Sequence, residues 1–131
     1  VRAVLEGITF AMRDSLEIVR SLGVRIDEVR ATGGGAKSAF WRQLQADIFG
    51  CEIATLGSDQ GPAFGAAIMA GVGTGVYASI PEACDAILSV VERTEPDPAR
   101  VQEYNDYYQV YHSLYPGIRE ACHHLSKKVA S

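Results

Sequence analysis

Three consecutive glycines, Gly33-Gly34-Gly35, stand between a short β-branched run and the start of an amphipathic helical pattern. No other feature restricts the fold of this chain as much. Glycine takes positive φ freely and carries no Cβ, so the backbone can turn sharply there and a flat or charged ligand can come against it. The helix that follows turns its free N–H groups and the positive end of its dipole back on the same place. Strand, glycine turn and helix in that order make a nucleotide-binding geometry. The same residues also make a strand-to-helix turn that binds nothing, and the glycines alone do not separate the two readings.

Two common glycine motifs fail on spacing. A Walker A loop ending in Lys37-Ser38 needs glycine where Ala31 and Ala36 stand. A dinucleotide fingerprint starting at Gly33 finds its second glycine at Gly35 but Ser38 in place of the third. It also lacks an acidic residue at the end of the following strand, since Glu52 opens that strand and Asp59 lies beyond it.

Around the glycines the chain reads as alternating elements. Val1, Val4, Leu5, Ile8, Met12, Leu16, Val19 and Leu22 recur at helical spacing, with Arg2, Glu6, Arg13 and Glu17 on the polar face and Gly23 as the stop. Glu28 to Thr32 reads as a strand. Ser38 is a good N-cap for a helix whose Phe40, Trp41, Leu44 and Ile48 face the core and which Gly50 ends. Glu52 to Leu56 reads as a second strand, Gly57 to Gly61 as a loop, and Pro62 as the first helical residue of a small-sided helix. There Gly65, Ala66, Ala67, Ala70 and Gly71 allow close packing against a neighbour, with Phe64 and Ile68 filling the gaps. Ser79-Ile80-Pro81-Glu82 is a capping box that opens a helix burying Ala83, Ile87, Leu88 and Val91. Glu95 to Pro98 is a stiff linker before a final helix with the stripe Val101, Tyr104, Tyr108, Tyr111, Leu114 and Tyr115, which Pro116-Gly117 should kink or break. The strand-helix-strand-helix order predicts an α/β fold with parallel strands, and two strands are too few for a covered sheet without others upstream.

Composition narrows the function classes. At 131 residues with 47% apolar and 21% charged content the chain has the makings of one globular domain. A net charge of −4 and a pI near 5.3 argue against a nucleic-acid surface. Cys51, Cys84 and Cys122 are widely spaced and odd in number, which suits neither a disulfide framework nor a zinc site and fits a reducing cytoplasm. No apolar stretch is long enough to span a bilayer, and the charged residues among the first twenty do not suit a signal peptide. His112, His123 and His124 lack both a nucleophile in a recognisable motif and metal-site spacing.

Thr32-Gly33-Gly34-Gly35-Ala36-Lys37-Ser38, followed by Trp41-Arg42-Gln43 and Ala46-Asp47-Ile48, resembles the adenosine-binding segment of the FGGY carbohydrate kinases, above all their xylulokinase branch. Gly61-Pro62-Ala63-Phe64-Gly65-Ala66-Ala67 is similar to a later stretch of the same family, and Ala3-Val4-Leu5-Glu6 to the last residues of its second signature. The resemblance covers residues 1–131 as an incomplete, nucleotide-binding C-terminal kinase domain with residues 98–131 as a helical tail within it. It implies a helix-rich part of an actin-like (ribonuclease H-like) ATPase lobe with few parallel strands.

The resemblance further implies ATP, with Mg²⁺ whose ligands lie outside these residues, and a sugar acceptor, D-xylulose first. Gly34, Gly35 and Ala36 would hold adenosine by backbone contacts, Gly33 would shape the turn, and Ser38 would cap the helix or touch the ligand edge. Glu6 would face the interdomain cleft, against the plainer reading of a solvated helix residue. Trp41 would border the adenine or anchor the core. An asparagine that glycerol kinases place shortly after the loop is missing, which puts side-chain contacts to the nucleotide in doubt. The family's catalytic aspartate and phosphate loop lie upstream of the matching segment. No catalytic residue is therefore assigned, and Asp47 and Asp59 do not take that role. ATP/ADP and a small sugar are the expected partners, with no nucleic acid, no membrane and self-association through uncovered apolar surface. A non-catalytic helical interaction module, another FGGY sugar or polyol kinase and a ligand-sensing relative without turnover stand beside this reading.

Overall fold

The computed structural model describes residues 1–57 and 61–129. Helix α1 (Arg2–Ser21) leads to strand β1 (Glu28–Ala31), a 3₁₀ turn (Gly34–Lys37), helix α2 (Ala39–Phe49) and strand β2 (Glu52–Leu56). Helices α3 (Gly61–Gly73) and α4 (Ile80–Ile87), strand β3 (Val90–Thr94) and helix α5 (Pro98–Val129) complete the order. Asp59 and most of the loop expected over 57–61 lie outside the described residues.

β2 is the middle strand. It runs parallel to β1, with Glu28 opposite Glu52 and Ala31 opposite Thr55. On its other side it runs antiparallel to β3, with Ile53 opposite Thr94 and an irregularity at Thr55/Leu56. The parallel pair follows the sequence reading. The third strand does not: Leu88 and Val91 were expected on a helix. The N–H of Leu88 closes the last turn of α4 on the Cys84 carbonyl, while its own backbone is already extended. The β-branched pair Val90-Val91 then favours a strand, and the Ser89 carbonyl accepts from Gly57 N–H at 2.9 Å.

α2 is the centre of the core. Ser38 accepts a hydrogen bond from Trp41 N–H at 3.3 Å as its N-cap, and Gly50 ends it at φ 66°, the left-handed conformation expected of a helix stop. Arg20 donates to the Phe49 carbonyl at 2.8 Å, placing a cation at the negative end of the helix. Leu44, Ala46, Ile48 and Phe49 pack with Cys51 and Ile53 of the sheet side and with Phe10, Tyr104 and Tyr108 of α1 and α5. Each large apolar side chain so buried contributes roughly 1.5–3 kcal/mol. Phe40, expected in this core, is half exposed and borders a cleft with Gln43, Glu95 and Pro96 instead.

The orientation of α1 corrects the simple amphipathic picture. Leu5, Phe10 and Leu16 pack inward, yet Val4, Ile8, Met12 and Val19 are exposed. The side read as polar is the one that meets α5. Arg2 donates to the Tyr104 hydroxyl at 2.8 Å, Arg13 to Asn105 Oδ1 at 2.6 Å, and Tyr108 to Asp14 Oδ1 at 2.5 Å. The Arg13 guanidinium also lies 4.2 Å from the Tyr108 ring centroid. Tyrosines supply both apolar rings and polar tips, so a charged helix face can be packed.

Three further expectations are revised. The small-sided face of α3 is largely exposed, and among its glycines only Gly71 is closely approached, by Tyr77. α5 continues as one helix through Pro116 and Gly117, which excludes the break, since a proline forfeits one hydrogen bond without preventing the helix from resuming. Of its stripe, Tyr104 and Tyr108 are buried, whereas Leu114 and Tyr115 are exposed. The capping box at Ser79 is present, with Ser79 accepting from Glu82 N–H and Glu82 accepting from Ala78 N–H.

Candidate functional site

The glycine turn leaves the carboxyl end of β1 and reaches α2 within seven residues. Gly33 sits at φ 77° and ψ −168°, a region open to glycine almost alone. The turn then tightens into a 3₁₀ helix, with Ala36 N–H donating to the Gly33 carbonyl and Ser38 N–H to the Gly35 carbonyl, both at 3.2 Å.

The three glycines have different surroundings. A Cβ on Gly35 would lie 2.6 Å from Trp41 Cζ3 and 2.8 Å from Cε3, so the indole already fills the space that the glycine vacates. A Cβ on Gly34 would meet nothing within 4 Å, and Gly34 has no positive φ. Gly33 is also open, but its conformation is the constraint.

Clefts flank the turn on both sides. One, of about 430 Å³, lies at the carboxyl ends of the parallel strands, where Thr32, Gly33 and Ala36 face Thr55 and Gly57 of the β2 end and Glu92 of β3. Ligands of open α/β sheets occupy that position. The other, of about 340 Å³, is walled by Ile8 and Met12 of α1, Val29, Gly35 and Trp41. Ala36 borders both.

Two side chains from the first turn of α2 reach back under the loop. Trp41 donates from Nε1 to Thr9 Oγ1 at 3.2 Å, and that buried hydroxyl donates to the Leu5 carbonyl at 2.7 Å. Arg42, only 5% exposed, donates from Nη1 to the Ala36 carbonyl at 2.7 Å and from Nη2 to Glu92 of β3.

Gly33, Gly34, Gly35, Ala36 and Ser38 are thus brought into one turn, with unequal freedom to meet a ligand. The Ser38 hydroxyl is used as the helix cap. Sequence reasoning missed Arg42 and Glu92 as parts of the site. Trp41 stands under the loop through Gly35. Glu6 is not a solvated helix residue: it is half-buried, pairs with Arg2 at 2.8 Å and accepts from the Tyr104 hydroxyl at 2.9 Å. The Arg2 hydrogen bond holds its carboxyl below the ordinary range. Asp47 is fully buried and accepts from Gln43 Nε2 at 2.8 Å and Asp97 N–H at 2.9 Å, the work of an anchor for the start of α5. Among the described residues no group of three or more His, Cys, Asp or Glu could hold a metal ion, and no helix is long and apolar enough to cross a membrane.

Residues 1–74 match the model of the FGGY family of carbohydrate kinases, C-terminal domain. The chain belongs to that family. The FGGY assignment is supported along most of the chain: the xylulose kinase of Staphylococcus epidermidis is 44% identical over 119 residues, covering 91% of this chain and 24% of that protein. The structure of xylulose kinase from Lactobacillus acidophilus superposes with a TM-score of 0.83 at 27% identity, covering 90% of this chain and 24% of that one. Gluconate kinase from Lactobacillus acidophilus gives a TM-score of 0.82, also at 27% identity, over 89% of this chain and 24% of that one. The fold is therefore part of an actin-like kinase lobe, rich in helix around a small mixed sheet. The chain spans about a quarter of the length of the curated FGGY relatives it matches.

Proposed function

We propose that this chain is the nucleotide-binding C-terminal part of an FGGY sugar kinase that transfers the γ-phosphoryl group of ATP to a hydroxyl of D-xylulose. The observation that carries the reading is the open backbone at Gly34, in a turn that borders a cleft at the carboxyl ends of two parallel strands. In this reading the bound nucleotide supplies the phosphoryl group, and the chain's residues only bind and orient it. Gly33 sets the turn, Gly34 and Ala36 offer backbone to the adenosine, and Gly35 gives the turn its seat on Trp41. Ser38 keeps α2 capped so that its amino end faces the site. Relatives named xylulose kinase favour xylulose, although a gluconate kinase shares the fold. Mg²⁺ accompanies the nucleotide, its ligands coming from outside these residues, and cytoplasmic location follows from the same reading. In this reading residues 98–131 are the tail of the domain, of which Pro98–Val129 is helix α5. The exposed Val4, Ile8, Met12 and Val19 are the surface through which the isolated chain would self-associate. Nucleic acid and membrane are not among its partners.

Trp41 is the sole tryptophan and touches the loop, so its emission reports on ligands there. Titration with MgADP should change that emission, and Gly34→Val should weaken the affinity by about tenfold or more through a steric clash, with the melting temperature nearly unchanged. Equal affinity in Gly34→Val would refute the placement. The chain alone should turn over no xylulose with MgATP, and ADP formation above a control would overturn the assignment of catalysis to other parts of the enzyme.

A further inference from the structure

The turn is held from beneath by one buried cation. Arg42 is one helical residue past Trp41, and its planar guanidinium bonds two different elements at once, the Ala36 carbonyl through Nη1 and the Glu92 carboxylate through Nη2. Only an arginine fork can hold two acceptors in fixed directions; a lysine ammonium is a point charge on a flexible stem. Ala36 is also the residue that borders both clefts. Its carbonyl, in the Ala36–Lys37 peptide, is turned down to the guanidinium, while its N–H, in the Gly35–Ala36 peptide, closes the turn on Gly33, so both peptides that flank Ala36 are held at the end of the glycine run. Glu92 fixes the other end of the fork and is itself half exposed on the edge strand.

We propose that Arg42 is a positioning residue for the nucleotide turn, with Glu92 as its anchor on β3. The inference rests on the reading of the glycine turn as the nucleotide site. Arg42 does not touch the nucleotide. It acts by holding the Ala36–Lys37 peptide, at the end of the glycine run, in the orientation that lets the turn present its open glycine backbone. β3 thereby has a part in the site that its edge position does not suggest.

The test reads the turn and the ligand separately. Hydrogen exchange of amides 33–38 is measured without nucleotide in the chain, in Arg42→Met and in Glu92→Gln, followed by titration with MgADP through Trp41 emission. Both substitutions should speed exchange at 33–38 by about tenfold, the effect of one charge-assisted hydrogen bond, while amides of β2 exchange as before. Affinity for MgADP should fall by a similar factor at an unchanged melting temperature in Glu92→Gln, which a merely structural contact would not do. Arg42→Lys should recover only part of the affinity. If Arg42→Met does not fold, Glu92→Gln, altered at a half-exposed side chain, decides alone. Unchanged exchange at 33–38 overturns the role of Arg42 whether or not nucleotide binds. Faster exchange with full affinity overturns it as well. Absence of binding by the unaltered chain overturns the nucleotide reading instead, and with it any positioning for a nucleotide.

Discussion

Alanine at Gly35 and alanine at Gly34 should change stability in opposite directions, although the two glycines are neighbours in one turn. At Gly35 the new methyl carbon would stand 2.6 Å from Trp41 Cζ3, about 1 Å inside ordinary carbon contact. The indole cannot move away freely. Its Nε1–H is bonded to Thr9 Oγ1, and Thr9 is fully buried. Overpacking of this kind costs about 1–3 kcal/mol, and loss of the indole hydrogen bond adds about 1 kcal/mol. A combined loss of about 3 kcal/mol corresponds to a melting temperature lower by roughly 10 °C in a domain of this size. At Gly34 the methyl meets nothing and φ is not positive, so the smaller entropy of the unfolded chain should yield a gain of about 0.5 kcal/mol. Thermal melts followed by circular dichroism measure both. The emission of Trp41 should shift to the red only in Gly35→Ala, as the indole is pushed out of its seat. Equal melting temperatures for the two variants would refute the argument that Trp41 rather than a ligand explains Gly35.

Other substitutions test the scaffold around the site. Asp47→Ala leaves the Asp97 N–H without its acceptor and should cost about 2–3 kcal/mol, whereas Asp47→Asn, which retains an acceptor oxygen, should cost less; equal melting temperatures would argue against an anchoring role. Pro116→Ala should slow hydrogen exchange of the amides around residue 116, because alanine is better than proline in a helix interior by about 3 kcal/mol. The Glu6 carboxyl is held below its unfolded value by Arg2, so its stabilisation is present above the ordinary carboxylate range and is lost as pH falls through the depressed folded value. Glu6→Gln should thus melt below the unaltered chain at pH 7, with the difference closing under roughly pH 4, and a difference independent of pH would contradict the pairing.

Much of the fold is legible wherever a local rule acts alone. Ser38, Gly50, Gly23 and the Ser79-Glu82 box mark helix ends because capping needs only a side chain and the next turn of backbone. The parallel pairing of β1 and β2 follows from a helix between two strands. The misses occur where tertiary contact outvotes pattern. β3 was hidden because Ile87 and Leu88 continue a helical spacing into Val91, and only the partnership with β2 and Gly57 takes the chain out of the helix. The apolar spacing of α1 predicts an inward stripe, because the apolar face of a helix usually packs on the core. Here α5 presents tyrosine hydroxyls to Arg2, Glu6 and Asp14, so the charged side is the packed one.

The candidate site shows the same division at closer range. Three identical letters, Gly33-Gly34-Gly35, suggest one property repeated, and the sequence sets Gly33 apart from the other two only through the family resemblance. In three dimensions Gly33 answers to backbone conformation, Gly35 to the indole beneath it, and Gly34 alone to open space. Any argument from a glycine run to a ligand therefore has to subtract the glycines that the protein itself requires. What is left at Gly34 is a single stretch of bare backbone, and its direction is not its own property: Trp41 and Arg42, consecutive residues in the first turn of α2, seat Gly35 and hold the Ala36 carbonyl just beyond it. The Trp41-Arg42-Gln43 run that follows the glycines is then part of the same device. Its first two residues seat the turn, and Gln43 bonds Asp47 and the Glu95 carbonyl, tying the same helix to the chain that enters α5. A turn supported in this way can present backbone without rearranging, which would reduce the ordering cost of binding for the nucleotide proposed to lie there.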